Sequence, residues 1–199
     1  MKFSNFFPLT VGEEYFNIPP QTINKWIDFV ESSPLNPLPH GNDFETQDQD
    51  LLDNSIFTKL KQQLIYSAKE YSNNLSIQPQ DLQISNSWCY ITQKDNIKHN
   101  WHTHTNSLIT GIFYLTKGAP LYIQNPHQKL WFMDQNNYDY NNSLIYDKFI
   151  PEPGKLLLFP SFVPHSIGNN KKSFRRYSIA FNIIPKGEYG NRYNRIIFN

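Results

Sequence analysis

The chain has 199 residues, 39% of them hydrophobic and 18% charged, which suits one folded unit with a sizeable core and excludes a disordered chain. Eighteen Lys and Arg against 17 Asp and Glu leave a net charge of +1, so no basic field grips a phosphate backbone and a nucleic-acid partner is not expected. The single cysteine, Cys89, excludes an intramolecular disulfide and a Cys-based metal site.

The first stretch, MKFSNFFPLTVGEEYF, has no apolar run of signal-peptide length, and no stretch approaches 18 apolar residues. A soluble, reducing, cytoplasmic setting without a membrane is the default expectation. After Pro19 and Pro20, Ile23, Trp26, Ile27 and Val30 recur at helical spacing, and Ser32-Ser33-Pro34 ends that run. Residues Pro34 to Gln49 are rich in Pro, Asn and Asp and read as a loop. A second helix is predicted from about Ser55 to Tyr71, with Ile56, Leu60, Leu64 and Ala68 as its apolar stripe and Asp53 or Asn54 as N-cap. Residues 1–80 thus form an expected helical support region, and 81–199 a separate core within one structural unit.

Past residue 80 the texture changes to short apolar runs between turn signals. The strand candidates are Leu82 to Gln93, Leu108 to Thr116, Leu121 to Asn125, Lys129 to Met133, Lys148 to Ile150, Lys155 to Phe159, His165 to Ile167 and Arg175 to Ile184. Many short strands imply a mainly β fold, a sandwich or barrel, with the helices packed on one sheet. Asp134 to Leu144 is polar and reads as a loop at the barrel mouth. Aromatics make up 16% of the chain, and this excess serves a β-rich core or lines a pocket.

Six histidines are present, and two alternate: His102 and His104. On an extended strand residues two apart share a face, so both imidazoles can reach one metal ion. A third nitrogen must come from elsewhere, and His165 is the candidate. It follows a turn bracketed by Pro160 and Pro164. Imidazole suits iron, zinc, copper and nickel alike. His40, His99 and His127 are not expected to be ligands. Trp88 and Tyr90 share a face of one strand and either line a pocket or pack in the core. Phe113 and Tyr114 alternate, so one faces the core and the other a pocket. Gly111 would permit close backbone approach between strands.

The segments SWCYITQKDNIKHNWHTHTNSLITGIFYL, PEPGKLLLFPSFVPHSIGNN and RRYSIAFNI stand in an order that resembles the 2-oxoglutarate/iron(II)-dependent oxygenase superfamily. More narrowly, the chain looks like a short oxygenase family of bacteria and phages that is loosely related to prolyl 4-hydroxylases. The resemblance runs from about Ser85 to Ile184. It implies a double-stranded β-helix core, a jelly roll of the cupin-like kind. It also implies iron(II), 2-oxoglutarate as cosubstrate and O2. By position, His102 matches the first metal histidine and His165 the distal one. Arg176 matches the arginine that pairs with the far carboxylate of 2-oxoglutarate, and Ser178 the hydroxyl that shares it. Parity selects Arg176 over Arg175, which would face the opposite side. The implied reaction hydroxylates a substrate, a small molecule or a protein side chain, and releases succinate and CO2.

One departure stands out. Most of that superfamily places Asp or Glu where this chain has His104. His104 is then a third ligand, a residue beside the ligands with water or a distant carboxylate completing the sphere, or the mark of an inactive site. Two other functions compete: another three-histidine metal enzyme on a cupin-like barrel, and a non-catalytic ligand-binding barrel.

Overall fold

Alternating apolar residues along residues 81–92 and 176–184 call for strands with one face on each of two cores. The computed structural model has this architecture; it describes residues 9–39, 43–75, 81–93, 100–126, 146–171 and 175–198. In chain order the elements are β1 (Gly12–Tyr15), α1 (Pro20–Ser32), β2 (Leu35–Pro37), β3 (Phe44–Thr46), two 3-10 turns (Leu51–Asp53 and Ser55–Phe57) and α2 (Thr58–Asn74). There follow β4 (Asp81–Thr92), β5 (Ile109–Tyr114), β6 (Leu121–Gln124), β7 (Tyr146–Phe149), β8 (Lys155–Pro160), β9 (His165–Ile167), β10 (Arg176–Tyr189) and β11 (Ile196–Phe198).

The large sheet is antiparallel, in the order β1-β8-β5-β10-β4-β3-β2, with β11 paired to β10. The small sheet has the order β7-β6-β9. An isolated bridge between His102 and His165 adds the HTH segment to it. Two cores follow from strand parity. On the outer face of the large sheet, Cys89, Ile91, Phe113, Leu156, Leu158 and Ile179 pack with Ile23, Trp26 and Val30 of α1 and Leu60, Leu64 and Ala68 of α2. Each such buried side chain contributes about 1.5–3 kcal/mol. On the inner face, Ile112, Tyr114, Leu157 and Phe159 meet Leu121, Ile123 and Ile167 of the small sheet. The result is the expected double-stranded β-helix with helices on one sheet.

Polar ties fix the helices. Trp26 donates from Nε1 to the Ile56 carbonyl at 3.1 Å, and the Tyr71 hydroxyl donates to the Thr10 carbonyl at 2.7 Å. Glu31, near the end of α1, accepts from Arg175 Nη1 at 2.8 Å and from the Tyr177 hydroxyl.

Several expectations are corrected. The loop at Pro34 to Gln49 contains β2 and β3, which pair with each other and, through β3, with β4. Their sequences, LNP and FET, carry little strand signal of their own; the neighbouring strand supplies the pairing. β1 is the same case, a polar GEEY laid along β8. Helix α2 begins at Thr58, after the 3-10 turns, and no side chain caps it. Ile56 lies in the second 3-10 turn, out of phase with the helix, and is 39% exposed. β10 continues to Tyr189, five residues beyond the expected end. The candidate strand at Lys129 to Met133 and the loop at Asp134 to Leu144 lie outside the described residues.

Gly111 admits a side chain rather than a backbone. It is the cross-strand partner of Phe181, and a Cβ at 111 would fall 2.1 Å from the Phe181 ring. Gly111→Ala is therefore expected to destabilise the fold by about 1–3 kcal/mol, against the small gain that Gly→Ala gives in open space. Urea unfolding checks it. The destabilisation should shrink when Phe181→Leu is already present, because the smaller side chain removes the clash.

Candidate functional site

The metal-ligating types converge at one end of the cavity between the sheets. His102, on the segment before β5, exchanges two backbone hydrogen bonds with His165 at the start of β9. The His102 amide donates to the His165 carbonyl at 3.1 Å, and the His165 amide to the His102 carbonyl at 3.0 Å. The His104 amide donates to the Ser161 carbonyl at 3.0 Å. Ser161 is held in turn by hydroxyl contacts with Thr110 at 2.9 Å and Ser107 at 2.8 Å. The loop Pro160 to Pro164 and the HTH segment are thus stitched together through backbone, and their side chains have little choice of direction.

His102, His104 and His165 each bring one ring nitrogen within 4.8 Å of the others. Ring centroids are 4.3 Å apart for His102 and His165, 5.0 Å for His104 and His165, and 5.5 Å for His102 and His104. Each Nδ1 faces an oxygen: the Asn100 carbonyl at 3.1 Å for His102, the Val163 carbonyl at 3.1 Å for His165, and Asn182 Oδ1 at 2.6 Å for His104. A carbonyl only accepts, so each Nδ1 carries the proton and the lone pair lies on Nε2. Burial holds His102 and His104 below the ordinary 6.5, in the neutral, metal-binding form.

The other end of the cavity is built by β10. Its register places three cross-strand rows on the inner face: Tyr90–Ser178–Tyr114, Trp88–Ala180–Ile112 and Asn86–Asn182–Thr110. Arg176 opens the series opposite Thr92 and is completely buried. Its Nη1 donates to Thr92 Oγ1 at 3.3 Å and to Ser178 Oγ at 3.1 Å. Among the described residues its Nε and Nη2 meet no acceptor, nor does the buried Tyr114 hydroxyl have a partner. The guanidinium lies 5.0 Å from the centre of the Tyr114 ring. Burial pushes the Tyr114 phenol up, so it stays a donor. Gly118 makes room for all this: a Cβ there would lie 2.6 Å from Arg176 Cβ, and its φ of +151° suits glycine.

Both ends open on one cavity of about 590 Å³, whose lining includes His102, His104, His165, Arg176, Ser178, Trp88 and Tyr90. All seven residues singled out from the sequence are therefore together. Trp88 stands 5.7 Å from the His104 ring. Tyr90 offers its ring to the cavity, while its hydroxyl donates to Asp43 Oδ2 at 3.1 Å. Cys89, on the opposite face, is buried with its thiol pushed up to about 12 by burial, hence unreactive. Arg175 points outward to Glu31, as parity requires. His40, His99 and His127 lie outside the described residues. Sequence reading missed Asn182, Asn86, Thr92 and Gly118 as parts of the site. Parity with Arg176 and Ser178 was the available signal for Asn182.

The donor set fits an iron(II) centre with a dicarboxylate beside it. Three neutral imidazoles could hold a divalent ion and leave positions open for a chelating ligand. A buried cation with two nitrogens that meet no acceptor among the described residues, next to the hydroxyls of Thr92, Ser178 and Tyr114, calls for an anion. A carboxylate would take the bidentate fork that Arg176 presents.

Comparison with known proteins agrees. A family model described as "Putative 2OG-Fe(II) oxygenase" matches residues 86–182. No curated protein matches the sequence. Among solved structures, HygX from Streptomyces hygroscopicus, with nickel and 2-oxoglutarate bound, superposes with a TM-score of 0.65 at 12% identity, over 89% of this chain and 83% of that one. A Pseudomonas putida prolyl-4-hydroxylase gives 0.63 at 13% identity, over 90% and 94%. The carbocyclase SnoK of nogalamycin biosynthesis, described as non-heme and alpha-ketoglutarate dependent, gives 0.67 at 10% identity, over 90% and 81%. At such identities these likenesses establish the fold. The family match lies across the HTH motif, β9 and the first half of β10, so residues 86–182, which carry both ends of the cavity, match the 2-oxoglutarate/iron(II)-dependent oxygenases.

Proposed function

We propose that His102, His104 and His165 hold the iron(II) of this oxygenase through Nε2, and that Arg176, Ser178 and Tyr114 hold the far carboxylate of 2-oxoglutarate. The observation that carries the assignment is the buried guanidinium, which shares a cavity with the three histidines and whose Nε and Nη2 lack acceptors among the described residues. A three-histidine enzyme of another kind has no use for an Arg176–Ser178 pair that holds 2-oxoglutarate, and in a non-catalytic barrel the three converging histidines would be only structural.

Iron(II) and 2-oxoglutarate together couple O2 reduction to oxidation of a substrate C–H bond, with release of succinate and CO2. The protein's part is to bind and orient. The carbonyl and amide acceptors at Nδ1 aim the imidazoles. Arg176 anchors the cosubstrate at the closed end of the cavity, and Ile112, Leu121 and Ile167 line its walls with apolar surface that keeps water out. The substrate, a small molecule or a protein side chain that becomes hydroxylated, would enter past Trp88 and the HTH segment. Residues 1–80 would serve as the helical support of the barrel formed by 81–199. No helix among the described residues is long and apolar enough to cross a membrane. The cytoplasm is the proposed setting, since a reducing compartment keeps both iron(II) and the Cys89 thiol reduced.

Protein supplied with iron(II), 2-oxoglutarate and O2 should release succinate. Arg176→Ala should weaken 2-oxoglutarate binding by about 100-fold or more, as expected when a buried charge pair is broken. Wild-type protein that binds no 2-oxoglutarate, or an Arg176→Ala variant that binds it unchanged, sinks the cosubstrate assignment. Nickel(II), used as an inert probe in calorimetry, should bind one ion per chain, and His165→Ala should abolish this; retained stoichiometric metal refutes the ligand set. Because burial lowers the pKa of His102 and His104, proton competition with nickel at these two ligands should set in at lower pH than for a free imidazole, and nickel titrations across a pH series check it.

A further inference from the structure

The three histidines are aimed by different means. His102 and His165 give their Nδ1 protons to backbone carbonyls, which no side chain can alter. His104 gives its proton to a side chain, Asn182, at 2.6 Å. Asn182 is 8% exposed and stands directly across from Asn86 in the β10–β4 register. Its Nδ2 donates to Asn86 Oδ1 at 2.9 Å, and the same oxygen accepts the Ser85 hydroxyl at 3.2 Å. The register shifts between Asn182 and Ile183, an irregularity of the kind that re-aims a side chain beside a site.

These hydrogen bonds have a direction. An amide has one accepting end and one donating end. Asn182 turns its acceptor to His104 and its donor to Asn86. Reversing Asn182 alone would set its oxygen against Asn86 Oδ1, losing that hydrogen bond, and would offer His104 a donor in place of an acceptor. The Asn86 partner therefore decides which end of Asn182 faces His104. It follows that His104 must present a proton at Nδ1 and a lone pair at Nε2. A carboxylate at position 104 would meet an oxygen in place of a donor.

We propose that Asn182, locked by Asn86, is a positioning residue that fixes the Nδ1–H tautomer and ring direction of His104, and so makes a neutral imidazole serviceable as the third metal ligand. The inference rests on the three-histidine reading above for its consequence, but the tautomer itself can be read without metal. Long-range proton–nitrogen NMR of the metal-free protein above pH 7, with the His104 signal assigned by its disappearance in His104→Gln, should show the Nδ1–H form. Asn182→Asp keeps an acceptor and should retain it. Asn182→Leu removes the acceptor and should shift His104 to a mixture or to the Nε2–H form. Nickel(II) affinity should fall about 10- to 100-fold in Asn182→Leu and recover most of that drop in Asn182→Asp. Should Asn182→Leu not fold, Asn86→Ala tests the lock by leaving the His104 hydrogen bond in place, and should likewise yield mixed tautomers. The proposal is overturned if the leucine variant, or the alanine variant in its stead, keeps a pure Nδ1–H signal and wild-type nickel affinity. It is also overturned if Asp and Leu at 182 are equally impaired, since the role is then only packing. Failure of the metal reading would look different: nickel retained in His165→Ala, with the tautomer pattern as expected.

Discussion

A guanidinium with no access to solvent governs the design of this molecule. Arg176 is completely buried, and its Nε and Nη2 have no acceptor among the described residues. Burying an ion without a counter-ion costs several kcal/mol, so the surrounding fold must hold it in place. Thr92 and Ser178 take Nη1, the Tyr114 ring lies against the charge, and Gly118 leaves room for the aliphatic stem. The flanking residues do the opposite task. Arg175 and Tyr177 turn outward by parity and both grip Glu31 on α1. Three consecutive residues thus pin strand β10 to the helical layer on one side and hold an unpaired cation in the cavity on the other. In the proposed reading a dianionic cosubstrate would supply the counter-charge, and burial that costs stability would then serve binding.

The metal end obeys a different constraint. There the precision comes from backbone. The reciprocal His102–His165 hydrogen bonds bring two residues far apart in sequence to adjacent positions on the small sheet, and the His104–Ser161 bond fixes the third. The hydroxyls of Thr110, Ser161 and Ser107 join the large sheet to the same loop. β10 links the two ends, because Arg176 and Asn182 face inward from one strand. They are separated by six residues, or about 20 Å of extended chain. If the proposed assignment holds, the long Arg176 side chain and the cosubstrate share that distance, and register errors along β10 would uncouple the two halves of the site.

How much of this was readable in advance follows from where each signal originates. Strands β5, β8 and β9 are buried along nearly their whole length, and their apolar runs say so in sequence. Parity alone separates Arg176 from Arg175. The HTH spacing places two imidazoles on one face. By contrast β1, β2 and β3 are short, partly exposed segments whose strand character is lent by β8 and β4. Asn86 and Asn182 lie in sequence like any other amides; only the β4–β10 register makes them partners. Gly111 shows the same limit. Its glycine is visible, but the Phe181 ring that requires it is not.

The same geometry bears on why His104 stands where most of the superfamily has a carboxylate. A distant acidic residue could in principle restore the missing negative charge at the metal. Among the described residues lining the cavity, the one carboxylate is Glu45. Glu45 pairs with Tyr90, in the row of Ser178 and Tyr114, whereas His104 is held from the row of Asn86 and Asn182. Those rows are four residues, roughly 14 Å, apart along β4. Burial also raises the Glu45 carboxyl, which disfavours its charged form. The metal end is thus furnished with neutral donors, and the Asn182–Asn86 pair is shaped to receive an imidazole proton. A three-histidine centre keeps more positive charge on the ion than a two-histidine, one-carboxylate centre does, and that charge strengthens its hold on an anionic chelate. In the proposed reading the buried arginine would draw the same dicarboxylate from its other end. Both halves of the cavity therefore favour one kind of ligand, a small dianion stretched between them.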